Sequence, residues 1–175
     1  VGICGKDANL MIATRITEMP DPTSNIMQAV DIGYVGDPKF VNPHIVDVIS
    51  GSDLIPVIAP VGVDTAGNTY NINADLVAAN VAAALKAEKL VLLTDVEGIR
   101  GAEGTVLASV DAKTARDLIE REVISGGMIP KVECCLDALA GGVHKTHIVD
   151  GRVRHALLLE IFTSEGVGTQ VIGPA

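Results

Sequence analysis

The 175 residues predict an α/β domain in which a mostly parallel sheet is sandwiched between helices. Two observations carry this. Short apolar runs of strand character alternate with helical patterns over most of the chain, and residues 54–60 form a continuous apolar run that suits a strand buried on both faces, as parallel sheets require. The core must be aliphatic, because 48% of the residues are hydrophobic while the aromatics are only Tyr34, Tyr70, Phe40 and Phe162. A chain of this length buries a real core as one domain, or as one domain and a piece of another.

Taken in order, Val1-Gly2-Ile3-Cys4-Gly5 reads as a strand already in progress, without an initiator methionine, so the N-terminus is expected to be cut. Lys6-Asp7 makes a turn, residues 10–16 a second strand, and residues 18–24 a proline-containing polar loop. Ile32-Gly33-Tyr34-Val35 is expected as a short strand closed by Gly36-Asp37-Pro38. Asn42-Pro43 then opens a helix, with Asn42 as N-cap, Ile45, Val48 and Ile49 as the buried stripe, and Gly51 at its end. After residues 54–60, Val61-Gly62-Val63 and Thr69-Tyr70-Asn71-Ile72 flank a turn at Asp64-Thr65-Ala66-Gly67-Asn68, which is a hairpin pattern. A helix over residues 74–86 follows, capped by Asn73 and burying Val77, Val81 and Leu85. Residues 89–94 form the next strand, and a loop with Gly101 and Gly104 runs to Val110. Asp111 caps a helix over residues 112–122. Another helix carries Ile129, Val132, Leu136 and Leu139 on one face and stops at Gly141-Gly142. Residues 146–149, 153–162 and 167–172 complete the chain as strand, helix and strand.

Charge and composition exclude several functions. A net charge of −9 and a pI near 4.8, with no lysine or arginine run, oppose a nucleic-acid partner, and the scarce aromatics offer no stacking platform. No apolar run approaches the roughly 20 residues of a membrane span, so no membrane partner is expected, and the opening residues do not read as a targeting segment. Cys4, Cys134 and Cys135 give an odd count with two adjacent in a helix, which fits a reducing cytoplasm and small hydrophobes filling a helix face. His44, His144, His147 and His155 lack metal-ligand spacing and read as structural or surface residues, so no protein metal site is expected. Neither a G-x-S-x-G elbow nor a G-x-x-x-x-G-K-[ST] loop is present.

The chemistry centres on Ser125-Gly126-Gly127-Met128-Ile129-Pro130-Lys131. Two glycines let backbone approach a ligand, Pro130 suits a first helical turn, and Lys131 falls where unpaired N–H groups and the helix dipole already favour negative charge. A phosphate there would gain all three contributions; the alternative is a solvated lysine in a first turn. In open α/β sheets ligands bind beyond the carboxyl ends of strands. Asp95, Val96, Glu97, Gly98, Ile99 and Arg100 follow one such end and could take a ribose and base, while Gly126, Gly127 and Lys131 take terminal phosphates and Asp75 holds the lysine. The plainer alternatives are an ordinary turn after residue 94, a first-turn carboxylate at Asp75 and a satisfied strand residue at Asn71.

Tyr70-Asn71-Ile72-Asn73-Ala74-Asp75, Leu92-Leu93-Thr94-Asp95-Val96-Glu97-Gly98-Ile99, Ser125-Gly126-Gly127-Met128-Ile129-Pro130-Lys131-Val132-Glu133 and His155-Ala156-Leu157-Leu158-Leu159-Glu160-Ile161-Phe162 resemble, in order, motifs of bacterial N-acetyl-L-glutamate kinases. Gly2-Ile3-Cys4-Gly5-Lys6-Asp7 and Ile55-Pro56-Val57-Ile58-Ala59-Pro60 extend the resemblance over essentially the whole chain. It implies the amino acid kinase fold, a three-layer αβα sandwich, and transfer of the ATP γ-phosphate to the side-chain carboxylate of N-acetyl-L-glutamate in arginine biosynthesis. By this resemblance Lys131 stabilises the transferring phosphoryl group, Asp75 organises the catalytic lysines and Asn71 binds the acetylglutamate. Residues 95–100 with Val123, Ile124, Ser125, Gly126 and Gly127 line the nucleotide site, and Mg2+ arrives on the phosphates.

The resemblance further implies that residues 1–73 are the remainder of an acetylglutamate-binding lobe and residues 74–175 a nucleotide-binding domain. The family's N-terminal part, with its own catalytic lysine, glycine-rich turn and substrate arginine, has no counterpart here, so the chain alone is expected to be weakly active or inactive. Glu160 and Gly166 match positions that arginine-inhibited members use, which implies an arginine effector, and the parent enzyme is expected to be a homo-oligomer. A related kinase for acetylaminoadipate or aspartate, and a non-catalytic nucleotide- or effector-binding module, remain as alternatives.

Overall fold

The computed structural model describes residues 1–20, 26–163 and 166–173 and divides into two units, Val1–Ala84 and Leu85–Ala175, each with its own sheets. The first contains β1 (Gly2–Cys4), a 3-10 turn (Asp7–Asn9), β2 (Met11–Arg15), β3 (Glu18–Pro20), β4 (Met27–Ala29), β5 (Gly36–Val41), α1 (His44–Ser50), β6 (Val57–Ala59), β7 (Val61–Val63), β8 (Thr69–Asn71) and α2 (Ala74–Ala84). A four-stranded sheet runs β5-β2-β7-β8, with β2 and β7 parallel and the other two pairings antiparallel. β1 pairs with β6 in parallel, and β3 with β4 as an antiparallel ribbon. Leu10, Met11, Ala13, Tyr70 and Ile72 are buried around the larger sheet.

The second unit contains β9 (Lys89–Thr94), β10 (Ser109–Asp111), α3 (Ala112–Glu120), α4 (Met128–Ala140), β11 (Lys145–Asp150), α5 (Ala156–Phe162) and β12 (Thr169–Ile172). Its sheet runs β10-β12-β11-β9. β9 and β11 are parallel and in register from Lys89↔Lys145 to Thr94↔Asp150, whereas β12 turns back antiparallel to β11 and pairs in parallel with β10. Ile148, Val149 and Val171 of the sheet and Val132 and Cys135 of α4 are fully buried. The chain is thus mixed α/β with parallel pairings, as its alternating pattern predicts.

Many local expectations hold. The 61–72 hairpin forms, Asn73 Oδ1 accepts the N–H groups of Asp75 and Leu76, and Asp111 caps α3 by accepting the N–H of Thr114 at 2.8 Å. Cys134 and Cys135 are both buried on α4, as hydrophobes filling a helix face would be.

Other elements differ from expectation. The strand expected at residues 32–35 begins instead at Gly36 and passes through Pro38, which the sheet tolerates because β5 lies at an edge and the β2–β5 register shifts between Ile12 and Ala13. Part of the expected 18–24 loop is β3, and its remaining residues, 21–24, lie outside the described segments. α1 buries Val46, and Val48 is exposed. The run at residues 54–60 is not buried on both faces: Ile55 is 79% and Val57 64% exposed, and in the β1–β6 pair the face of Val57 and Ala59 is open while that of buried Ile3 and half-buried Ile58 is covered. α5 starts at Ala156, three residues later than expected, since His155 adopts a left-handed φ of 60° that a helix cannot include. β10 lies within an expected loop, its pairing supplied by the distant β12.

These differences set which residues carry stability. Ile148→Ala, at a site with no solvent exposure, is expected to cost about 2–5 kcal/mol, and Val57→Ala within about 0.5 kcal/mol; urea denaturation of both variants checks the contrast.

Candidate functional site

In the first unit, Asn71 is the exposed last residue of β8, and its N–H donates to the Tyr34 carbonyl at 2.8 Å. The hairpin presenting it is tied at its turn by Asp64. That carboxylate accepts from Asn68 Nδ2 at 2.8 Å, from Tyr70 Oη at 2.7 Å and from the N–H groups of Ala66 and Asn68, each at 2.9 Å. The Asn68 and Tyr70 side chains in that order, opposed by partial desolvation, hold the Asp64 carboxyl down at about 2. Asp75, half-buried, occupies the second position of α2 under the Asn73 cap. Asn71 and Asp75 therefore sit on either side of one capping residue, each fixed by local hydrogen bonds.

In the second unit, β9 ends at Thr94 and the chain turns through residues 95–100. Asp95, Val96, Glu97 and Arg100 are exposed, whereas Gly98 and Ile99 are buried and fasten the loop, the Ile99 N–H donating to Thr169 Oγ1 at 2.8 Å. Arg100 stiffens the exposed part, bonding Glu97 Oε2 at 2.8 Å and the Gly104 carbonyl at 2.7 Å. Of the second predicted segment, Val123 and Ile124 are anchored, both N–H groups donating to the Leu118 carbonyl and Ile124 being buried. Ser125, Gly126 and Gly127 are exposed. Gly126 has φ +57°, and a Cβ on Gly126 or Gly127 would meet nothing within 4 Å, so open space lies beside this backbone. Gly127 then leads into α4 without a side-chain cap, and half-buried Lys131 falls in the helix's first turn. The Met128 and Ile129 N–H groups donate to the Ser125 and Gly126 carbonyls at 3.3 and 3.2 Å and Pro130 has none, so the open main chain of Gly126 and Gly127 is followed by the positive end of the α4 dipole, with Lys131 in the same turn.

Glu160 and Gly166 also come together, at a separate cavity of about 310 Å³ bordered by Lys89, Lys145 and His147. Glu160 Oε2 accepts the Val167 N–H at 2.7 Å, and Gly166, at φ +60°, lies so close that a Cβ would stand 3.1 Å from the same oxygen. His147 Nδ1 is 2.5 Å from Glu160 Oε1, yet the contact is not aligned as a hydrogen bond, and both buried ring nitrogens lack a hydrogen-bond partner among the described residues. Burial pushes the His147 pKa down, Lys89 and Lys145 push the same way, and Glu160 opposes them. Spacing in the sequence gave no hint of His147, Lys89 or Lys145 in this wall, because strand pairing and α5 packing bring them to Glu160.

The amino acid kinase family profile matches residues 2–150. The chain belongs to the amino acid kinase family. Among curated relatives it is 54% identical over 173 residues to the acetylglutamate kinase of Geotalea uraniireducens and 54% identical over 171 residues to that of Psychrobacter arcticus. These alignments cover 99% and 98% of this chain but 59% and 56% of those enzymes, so the chain spans less than two thirds of their length. A solved N-acetylglutamate synthase from Neisseria gonorrhoeae, complexed with coenzyme A and L-arginine, superposes with a TM-score of 0.83 at 29% identity, covering 99% of this chain and 38% of that one. Carbamate kinase from Giardia lamblia shares the family's fold, with a TM-score of 0.63 at 14% identity over 94% of this chain and 51% of that one. Among the described residues no helix is long and apolar enough to cross a membrane, and no group of three or more His, Cys, Asp or Glu residues gathers as a metal site.

The buried histidine gives a pH signature. Because folded His147 binds its proton less readily than the unfolded chain does, stability is expected to decline as pH falls from 7 through the unfolded value of 6.5. Chemical denaturation between pH 7 and 5.5 should show this slope, reduced in His147→Asn.

Proposed function

We propose that the chain supplies mainly the ATP-binding half of an acetylglutamate kinase, which phosphorylates the side-chain carboxylate of N-acetyl-L-glutamate to N-acetylglutamyl 5-phosphate in arginine biosynthesis. The observation that carries this reading is the open Gly126-Gly127 backbone leading into the uncapped first turn of α4 with Lys131 in it. The acetylglutamate kinase relatives, 54% identical in the two cases above, support the acceptor's identity.

The acceptor carboxylate is ionised at neutral pH, so the reaction needs no general base. One carboxylate oxygen bonds to the γ-phosphorus as the bond to the β–γ bridging oxygen breaks, and ADP leaves with those electrons. Catalysis is then positioning plus charge stabilisation. Lys131, the positive end of the α4 dipole and the open main chain of Gly126 and Gly127 face the charge spread over the transferring phosphoryl oxygens. Asp75 orients the catalytic lysines, Asn71 holds the acetylglutamate, and residues 95–100 with 123–127 hold the nucleotide. Mg2+ arriving with ATP would neutralise part of the charge on its phosphates.

Functionally we divide the chain into residues 1–73, the remainder of the acetylglutamate lobe, and residues 74–175, the nucleotide domain; α2 is grouped with the latter because it carries Asp75, although its own packing is with the first unit. The Glu160–Gly166 cavity is read as an arginine effector site, its carboxylate suited to a bidentate guanidinium. The L-arginine complex of the related synthase supports that reading. The parent enzyme is a cytoplasmic homo-oligomer in this account, with the buried thiols of Cys134 and Cys135 suited to a reducing compartment.

Trapping the acyl phosphate as its hydroxamate tests the reaction. The chain joined to the family's N-terminal portion is expected to form hydroxamate from N-acetylglutamate in preference to acetylaminoadipate or aspartate, and Lys131→Ala to lower kcat by about 10²–10³. These 175 residues alone should show little or none; family-like turnover by them would contradict the division of labour. Arginine should inhibit the joined protein, and flat activity across an arginine titration would remove the effector reading.

A further inference from the structure

A second polar cluster stands where β9 and β11 end, outside the residues assigned above. The Gly151 N–H donates to the Thr94 carbonyl at 2.8 Å, pinning the exit of β11 to that of β9. Asp150, only 7% exposed, commits both carboxylate oxygens to the residue two positions on. Its Oδ1 accepts from the Arg152 N–H and from Nε, each at 2.9 Å, and its Oδ2 from Nη2 at 2.8 Å. These bonds hold the Asp150 carboxyl down at about 2, so it is ionised at any working pH. The Arg152 side chain itself is 66% exposed.

An arginine has five N–H donors in a rigid plane, and the Asp150 fork uses the Nε side. The Nη1 amino group and the second Nη2 proton are left facing away from Asp150. Asp150 first, then Asp95 and Glu97, raise the Arg152 pKa, and the Gly151–Thr94 bond holds the turn that carries Arg152 against the strand end from which the loop of residues 95–100 starts. A nearly buried carboxylate that takes two hydrogen bonds from one exposed guanidinium and a third from the same residue's main chain fixes that group's orientation, and an oriented planar cation at the carboxyl end of parallel strands suits phosphate oxygens.

We propose that Arg152, oriented by Asp150, contacts the non-transferred phosphates of the nucleotide held by residues 95–100. The proposal rests on the nucleotide-site reading above and adds a ligand-contacting residue and a positioning residue to it. Lys131 serves the transferring phosphoryl group, and Arg152 serves the phosphates that ADP retains.

Calorimetric titration of the 175-residue chain, unaltered and as Arg152→Gln, Arg152→Lys and Asp150→Asn, with adenosine, ADP and a non-hydrolysable ATP analogue in Mg2+ tests this. Arg152→Gln is expected to raise the Kd of ADP and of the analogue about tenfold or more and leave adenosine unchanged. Arg152→Lys should recover part of the loss, and Asp150→Asn, which keeps the cation but loosens it, should fall between. Equal weakening of all three ligands would mark a structural role and overturn the proposal, as would unchanged binding in Arg152→Gln. No binding of the analogue by the unaltered, folded chain would overturn the nucleotide-site reading and this proposal together.

Discussion

The in-register parallel pairing of β9 with β11 is the constraint on which the second unit's chemistry depends. Parallel strands place both carboxyl ends together, and at that end lie Thr94, the 95–100 loop, Asp150 and Arg152. The same register places Lys89 opposite Lys145 at the amino ends. Two like charges side by side destabilise a pairing unless something answers them. Here Lys89, Lys145 and His147 border one cavity with the Glu160 carboxylate. The two candidate sites thus occupy opposite ends of one strand pair, separated by about 17 Å at the rise of a β-strand.

The glycines of the two sites do opposite things. At Gly126 and Gly127 the space beside the backbone is open, which leaves the main chain of these two residues accessible to an anion. At Gly166 the backbone closes on Glu160, and the neighbouring Val167 N–H occupies one carboxylate oxygen. The first arrangement exposes main-chain donors, while the second uses main chain to orient a side-chain acceptor.

Local rules made much of this legible before any coordinates. β9 could be bounded at residues 89–94 because the apolar run stops at a polar turn, and the start of α2 because Asn73 is a capping residue followed by helical spacing, although the helix ends at Ala84, two residues before the expected end. The 125–131 segment announced itself through two glycines and a proline placed where a helix begins. What could not be read was set by partners distant in sequence. β10 exists because β12 supplies its ladder, and the apolar run at 54–60 is exposed because burial depends on a layer that a strand pattern cannot guarantee. His147 carried no motif, since its meaning comes from Glu160 thirteen residues later across a strand-to-helix turn. Arg152 was passed over for the same reason, its role being visible only with Asp150 turned back upon it.

The central claim is that the carboxyl end of β9 and the approach to α4 together hold a nucleotide. Backbone-amide NMR of the chain, titrated with Mg2+ and a non-hydrolysable ATP analogue, tests it most directly. Saturable shifts concentrated in residues 95–100 and 125–129, with residues 54–59 undisturbed, are the predicted result. Saturable binding whose shifts fall instead around Glu160 and Gly166, or a folded chain whose spectrum does not respond, would contradict it.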